Sequence, residues 1–368
     1  MTLTVAVVFG GRSTEHEVSL RSALNVLEAL DRARFQPLLI CVDHTGSWFW
    51  IEPGELARLA ALPVGSNSAV RGQKLALVPG GETGKLVILD RGVGPGVIDV
   101  VFPVIHGTFG EDGCLQGALR LLDLPFVGAD VLGSAVGMDK EISKRLLAAA
   151  GLPVVEFATL HGPEEADYSA LSARLGPVLF VKPACLGSSV GVSRVTDAAT
   201  FGTAVHEAFR FDRKVLIEAA CPGRELECSV LGNEHPEASA VGEILCHHDF
   251  YSYTAKYLDD EATDLAMPAD LEPTVAAKVR ELAVAAVKAL GIEGMARVDF
   301  FLSREGNLYL NEANTLPGFT RISMYPKLWT LGGLSMTSLV SRLIELALER
   351  HAAERGLDRC FRLEAGAR

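Results

Sequence analysis

The chain opens on a strand rhythm and passes at once to a helical one. Val5 to Gly11 reads VAVVFGG, a continuous apolar run ending in glycines, as expected of a parallel strand buried on both faces. In the next segment, STEHEVSLRSALNVLEALD, Leu20, Leu24, Leu27 and Leu30 form an apolar stripe, and Thr14 and Glu17 stand at capping-box spacing. FQPLLICVD and VIDVVFPVIHG repeat the buried-strand pattern, and the turn-rich stretch 45–96 between them is expected to carry a peripheral sheet. This first unit is expected to be doubly wound, with its functional residues at the carboxyl ends of the strands.

Near residue 135 the texture changes. MDKEISKRLLAAAGLPV predicts a helix stopped by Gly151, with Pro153 just beyond. VLFVKPACLGSSVGVSRV predicts two strands around a small-residue loop, followed by a helix from about Asp197 to Phe209. KVLIEAA and ELECSVLG predict two more strands around CPGR. The last third predicts a helix opened by Pro273 and closed by Gly291, then a hairpin, a long loop and a final amphipathic helix.

The hairpin, MARVDFFLSREGNLYLNEANTLPG, carries the most chemistry. Ser303 to Gly306 has turn composition, which sets Leu302 opposite Asn307, Arg297 opposite Glu312 and Asp299 opposite Leu310. With a side-chain period of two, Arg297, Asp299, Glu312 and Asn314 share one face, and Asp299 and Glu312 are diagonal neighbours. Two carboxylates and an amide oxygen suit a hard cation such as Mg²⁺. The plainer alternative is a solvated face with a surface Arg–Glu pair. Phe300, Phe301, Leu308 and Leu310 make both faces apolar, however, and charges on a buried strand pair need partners.

Composition narrows the classes. A chain of 368 residues with 49% hydrophobic and 22% charged residues is expected to hold two or three packed units. No apolar run approaches the ~18–20 residues of a membrane helix, and the first residues lack a basic region, so no secretory leader is expected. A net charge of −12 argues against nucleic acid or an anionic membrane as the main partner. Seven cysteines without a C-x-x-C pair make neither a disulfide framework nor a zinc site, which fits a reducing cytoplasm.

Phosphate chemistry has several candidates, each with a plain alternative. Lys182 ends the apolar run VLFVK, Lys140 sits in a first helical turn against the macrodipole, and Lys256 lies in YSYTAKY; any of them alone reads equally as a solvated lysine. The loop GSSVG, Gly187 to Gly191, offers backbone N–H groups and hydroxyls to phosphates, or is a flexible hairpin. PGGETGKL lacks Walker A spacing, and VVFGGRS lacks the dinucleotide glycine pattern. His247 and His248 are adjacent rather than on one face, Cys185 has no evident partner, and His106 follows a strand where doubly wound folds bind ligands.

In order along the chain, GGRSTEHEVS, HGTFGEDGCLQG, MDK, VKP, GSSVG, IEAACPGRELE, YTAKY, ARVDFF and NEANTLPGFTRIS together resemble the ATP-grasp superfamily, and within it the D-alanine–D-alanine ligase family. The likeness spans nearly the whole chain. It implies an α/β fold with a Rossmann-like N-terminal domain (1–135) for the first D-alanine. A central ATP-grasp domain (136–217) and a C-terminal one (218–368) with the metal site and a lid near 243–262 would then sandwich ATP. The implied reaction joins two D-alanines through an acylphosphate, consuming ATP for peptidoglycan precursor synthesis.

The same resemblance assigns roles. Asp299, Glu312 and Asn314 would hold two Mg²⁺ ions, with Mn²⁺ as a substitute. Lys140 and Lys182 would bind the α- and β-phosphates, Lys256 the γ-phosphate, and Ser188 and Ser189 would belong to the phosphate loop. Adenine would meet Glu218 and the backbone of Ala219 to Cys221, where some relatives carry a lysine first, and Glu225 would take the ribose. Glu15 would bind the ammonium of the first D-alanine, linked through Ser188 to Tyr257, with His106 nearby; its plain reading is an acid favoured in a first helical turn. Arg297 and the Gly318 N–H would stabilise the tetrahedral intermediate, and Ser323 and the Met324 backbone would take the second carboxylate. Tyr257 implies an amine nucleophile, because relatives that use D-lactate differ there. A homodimer is expected.

Three rivals make distinct demands. Another carboxylate–amine ligase should lack the Glu15–Ser188–Tyr257 set. A nicotinamide-dependent oxidoreductase leaves the hairpin carboxylates unexplained, and a silent nucleotide-binding protein should have lost metal ligands.

Overall fold

The computed structural model describes residues 2–63, 65–66, 68–80, 85–246 and 263–358. The first unit runs β1 (Leu3–Gly10), α1 (His16–Ala29), β2 (Phe35–Val42), β3 (Trp48–Ile51), α2 (Pro53–Ala60), β4 (Gln73–Leu77), β5 (Leu86–Ile88), β6 (Val100–Pro103), α3 (Cys114–Leu121), α4 (Val131–Met138) and α5 (Lys140–Ala149). Its sheet has the order β5-β4-β3-β2-β1-β6. β1 is parallel to β2 and β6, while β3, β4 and β5 continue the sheet antiparallel. The stretch expected to form a peripheral sheet therefore extends the main one. β1 earns its unbroken apolar run: Val5, Val7 and Phe9 enter one core while Ala6 and Val8 enter another.

The central sheet holds β7 (Phe157–Leu160), β8 (Leu179–Pro183), β9 (Ser193–Val195) and β10 (Val215–Ala219) in the order β7-β10-β8-β9, with α6 (Tyr168–Leu175) and α7 (Ala198–Phe209). Leu179, Val181, Val215 and Ile217 pack inward with Phe201 and Val205 of α7. Alternation therefore turns Lys182 and Glu218 to the opposite face. The boundary read at 217/218 falls inside β10.

The last sheet, β13-β12-β11-β14-β15, is antiparallel. It comprises β11 (Gly223–Gly232), β12 (Glu237–Cys246), β13 (Thr263–Ala266), β14 (Gly294–Ser303) and β15 (Leu308–Asn314), with α8 (Pro273–Ala289), α9 (Met324–Leu331) and α10 (Met336–Arg355). Leu226, Cys228, Val298 and Phe300 pack with Val279, Ala283 and Val287 of α8 on one side. Leu147 of α5 joins that core, and Phe319, Tyr325 and Leu343 join the core around β1. Shared cores of this kind fix where the three sheets meet.

Candidate active site

The hairpin β14–β15 differs in register from the expectation. A bulge between Asp299 and Phe300 sets Phe300 opposite Leu310, Asp299 opposite Glu312 and Arg297 opposite Asn314. The shared face survives, and the two carboxylates are directly opposed rather than diagonal. Arg297 stands opposite Asn314 rather than Glu312, though the Glu312 carboxylate still helps hold its charge. Its Nε and Nη2 donate to the two oxygens of Asp299, both at 2.7 Å, and Nε lies 3.0 Å from Glu227 on β11. Burial opposes the guanidinium charge, but Asp299 and Glu227 outweigh it and raise the Arg297 pKa well above its ordinary range.

α5 brings a second group of cations. Asp139 caps it by accepting from the Ile142 N–H at 3.1 Å and is held by Lys214 at 2.6 Å. Lys140, the first helical residue, donates to the Leu186 carbonyl at 2.8 Å and stands 3.4 Å from Glu312. One ion pair thus joins the first lysine of α5 to a hairpin carboxylate.

On the face of the central sheet turned away from α7, Lys182 lies 2.6 Å from Glu218 Oε2, and Lys144 lies 3.1 Å from Glu218 Oε1. Burial works against ionising Glu218, yet the two ammonium groups prevail and lower its pKa to about 2. Burial likewise opposes charge on Lys182, and Glu218 more than offsets it, raising its pKa. Sequence reasoning missed Lys144. Its signal was a lysine four residues after Lys140, on the same helical face, where only 1% of its side chain is exposed.

The loop after β8 is held in an unusual shape. Ser188 and Ser189 both adopt left-handed backbone, φ 55° and 57°, which costs about 1–3 kcal/mol per non-glycine residue. The Ser188 hydroxyl donates to Glu15, the residue just before α1. Gly107 makes room for that carboxylate: with φ 74°, a Cβ there would stand 2.6 Å from Glu15 Oε2. The cap position of α1 falls to Glu15 rather than to the expected Thr14, and the Glu15 side chain makes no cap bond.

His106 is buried at the end of the β6 segment. Its Nδ1 donates to the Leu316 carbonyl at 3.0 Å, and its Nε2 lies 3.0 Å from the Ser22 hydroxyl. Burial disfavours a charged ring, but the Glu111 carboxylate 3.5 Å away raises its pKa. Ser22 also accepts from the Phe319 N–H at 3.1 Å, and Asn25 donates to the Phe319 carbonyl at 2.8 Å. Gly318 is adjacent, and a Cβ on it would meet Ser323 Oγ at 2.7 Å. Ser323 accepts from the Thr320 N–H at 2.9 Å and precedes Met324, the first residue of α9.

At the rim of β10, the Ala219 and Ala220 N–H groups are taken by the Glu156 and Val178 carbonyls. An adenine contact at Ala219 therefore has to use its carbonyl. Cys221 follows β10, and Glu225 lies on β11 opposite Phe301 and Ile244. Lys256, Tyr257, His247 and His248, with most of the expected lid, lie outside the described residues.

Among the described residues no three His, Cys, Asp or Glu side chains converge on a common ion. The hairpin instead presents two carboxylates and the Asn314 amide, whose Oδ1 accepts from the Leu316 N–H at 3.2 Å. Mg²⁺ is ordinarily held by few protein oxygens, with phosphates and water completing the shell, so this hard-oxygen set fits it.

A central sheet face carrying Lys182 and Glu218, and a five-stranded antiparallel sheet whose hairpin carboxylate Glu312 meets Lys140 of α5, form the arrangement of an ATP-grasp protein. Residues 4–129 match the model of the D-ala D-ala ligase N-terminus and residues 146–345 that of the D-ala D-ala ligase C-terminus. The chain belongs to the D-alanine–D-alanine ligase family. It is 50% identical over 361 residues to the D-alanine–D-alanine ligase of Shouchella clausii, covering 96% of each chain. It is 48% identical over 357 residues to D-alanine–D-alanine ligase A of Escherichia coli, covering 96% of this chain and 98% of that one. The solved D-alanine–D-alanine ligase of Coxiella burnetii superposes with a TM-score of 0.82 at 39% identity, covering 98% of this chain and 99% of that one. The VanG D-Ala:D-Ser ligase of Enterococcus faecalis gives 0.84 at 35% identity, covering 94% and 100%.

Proposed function

We propose that the protein joins two D-alanines with consumption of ATP, yielding D-alanyl-D-alanine, ADP and phosphate for peptidoglycan precursor synthesis. The observation that carries this reading is the Ser188–Glu15 hydrogen bond, which ties a substrate-side carboxylate to the phosphate loop. A ligase for other carboxylates and amines has no need of that link.

In the first step an oxygen of the D-alanine carboxylate attacks the γ-phosphorus and the bond to the β-phosphate oxygen breaks. Glu15 holds the ammonium of this D-alanine, with His106 beside it. Lys140 and Lys182 hold the α- and β-phosphates, Lys256 the γ-phosphate, and Ser188 and Ser189 shape the loop over them. Adenine rests against Glu218, the Ala219 carbonyl and Cys221, with Glu225 on the ribose. In the second step the amine of the other D-alanine attacks the acyl carbon and phosphate leaves. Arg297 and the Gly318 N–H meet the oxyanion, a task in which one well-placed donor is worth about 10²–10³ in rate. Ser323 and the Met324 N–H, at the start of α9, receive the second carboxylate. Asp299, Glu312 and Asn314 would hold Mg²⁺ (or Mn²⁺), which when bound neutralises phosphate charge. Tyr257 completes the Glu15–Ser188 chain and favours an amine nucleophile.

We further propose division into an N-terminal unit (1–135), a central unit (136–217) and a C-terminal unit (218–368), a homodimeric assembly and a cytoplasmic location. Among the described residues no single helix is long and apolar enough to cross a membrane. The likeness to a D-Ala:D-Ser ligase supports one second reading, with D-serine as the nucleophile.

The test incubates protein with ATP, Mg²⁺ and D-alanine, alone or with equimolar D-serine, and follows phosphate release and products by mass. Dipeptide of D-alanine should dominate. Phosphate release without dipeptide refutes the substrate assignment, and a predominantly mixed product selects the second reading.

A further inference from the structure

Lys144 has no place in the proposed mechanism, yet among the described residues it is the most deeply buried ammonium at the site, with 1% of its side chain exposed. It stands one helical turn after Lys140, so α5 presents both lysines on one face. The two diverge in what they reach. Lys140 faces the Leu186 carbonyl and Glu312, whereas Lys144 lies 3.1 Å from Glu218. Glu218 is itself buried, and each of its oxygens faces a different ammonium, Lys182 at 2.6 Å and Lys144 at 3.1 Å.

A buried carboxylate facing a phosphate would repel it and would hold back any cation meant for that phosphate. With one lysine only, Glu218 and Lys182 would cancel, and Lys182 would bring little net attraction to a nucleotide. The second lysine gives the other carboxylate oxygen a partner of its own, so Glu218 no longer depends on Lys182 alone. Resting on the proposed role of Lys182 at the phosphates, we propose that Lys144 is a positioning residue whose ammonium compensates Glu218, so that Lys182 is available to the nucleotide phosphates. Lys144 touches no substrate in this scheme and acts through its neighbours. The arrangement also lets Glu218 remain ionised beside adenine while Lys182 shares or leaves its contact.

Direct titration of the full protein with ADP and with adenosine tests this. Lys144→Met should weaken ADP by about tenfold, the scale of one lost charge interaction in a partly dry site. Adenosine, which has no phosphates, should bind within about twofold of the wild type. Equal weakening of both ligands means damage to the adenine pocket and overturns the proposal, as does unchanged ADP affinity. Removing one partner of a buried carboxylate can also unfold the variant. The pair Lys144→Met/Glu218→Gln removes both ends of that contact and is compared with Glu218→Gln. With the carboxylate gone, Lys144 has nothing to compensate, and ADP should bind the two within about threefold. A tenfold gap there would show that Lys144 acts on the nucleotide directly, against the proposal. Wild type that binds ADP but makes no dipeptide refutes the ligase reading and leaves this one standing.

Discussion

Replacing Ser22 with alanine removes one oxygen and unties two parts of the site. Ser22 is wholly buried in α1, where its hydroxyl lies 3.0 Å from His106 Nε2 and accepts from the Phe319 N–H at 3.1 Å. A carbonyl can only accept, so the His106 contact to Leu316 puts a proton on Nδ1, and Nε2 meets the Ser22 hydroxyl as acceptor in the neutral ring or as donor in the charged one. Alanine therefore strands a buried backbone donor and a buried ring nitrogen, each costing about 1–3 kcal/mol. Allowing for relaxation and water entry, the destabilisation should be about 2–4 kcal/mol. Asn25 still grips the Phe319 carbonyl at 2.8 Å, so the loop stays near its place but is held from one side. If the neighbouring Gly318 N–H serves the oxyanion, loosening it should cost roughly tenfold in kcat, less than the ~10²–10³ of losing such a donor outright. The assay is steady-state phosphate release over a grid of ATP and D-alanine, beside a urea denaturation midpoint. KM for ATP should stay within about twofold. A lower midpoint with unchanged kcat would show that α1 does not position Gly318, and a raised KM for ATP with intact kcat would move the effect to the nucleotide side.

Three further outcomes follow from the geometry. Arg297→Lys keeps a charge but cannot form the two-pronged grip on Asp299, so kcat should fall about 10²-fold at saturating substrates; a fall below about threefold refutes the oxyanion role. Glu218 has its pKa lowered from 4.5 to about 2, burial opposing ionisation and Lys144 and Lys182 overcoming it. A carboxylate depressed on folding contributes stability above 4.5 and loses it as pH falls from there through about 2. Glu218→Gln should flatten the acid limb of the stability–pH profile across that window, and identical slopes would contradict the assignment. Gly110→Ala would place a Cβ 2.0 Å from the Ile105 carbonyl oxygen, so the loop carrying His106 must move. Its denaturation midpoint should fall by an amount equivalent to about 2–4 kcal/mol, and a wild-type midpoint would refute the packing argument.

Features written in local pattern were legible before the fold was seen. β1 reads as a parallel strand because both of its faces are buried, and α5 and α8 read as helices because glycines 151 and 291 end them in left-handed backbone. Alternation alone sets Arg297 with Asp299 on one strand and Glu312 with Asn314 on the other. That the two pairs share a face depends on the register, which the bulge after Asp299 sets and which leaves no mark in the residues themselves. The cap of α1 falls to Glu15 rather than Thr14 for a related reason. Glu15 is drawn to Ser188 in another unit, and that long-range bond replaces the local cap. Lys144 was overlooked because a lysine on an amphipathic helix looks solvated until the carboxylate that buries it is brought up by β10.

The last two misses share a cause that bears on how the site works. Each involves a polar group whose partner comes from another part of the fold, Glu15 with Ser188 and Lys144 with Glu218, and the Lys140–Glu312 pair is built the same way. A cation and a carboxylate buried apart would each cost several kcal/mol, so the sheets can close only in the arrangement that pairs them. The same pairs occupy the groups proposed to grip phosphate, metal and substrate ammonium. Binding a nucleotide and D-alanine then exchanges internal partners for ligand ones rather than exposing bare charge. That exchange accounts for how a chain of net charge −12 can hold a highly anionic ligand: the distant acids are screened beyond a Debye length of about 8 Å, while the paired cations lie at the contact itself.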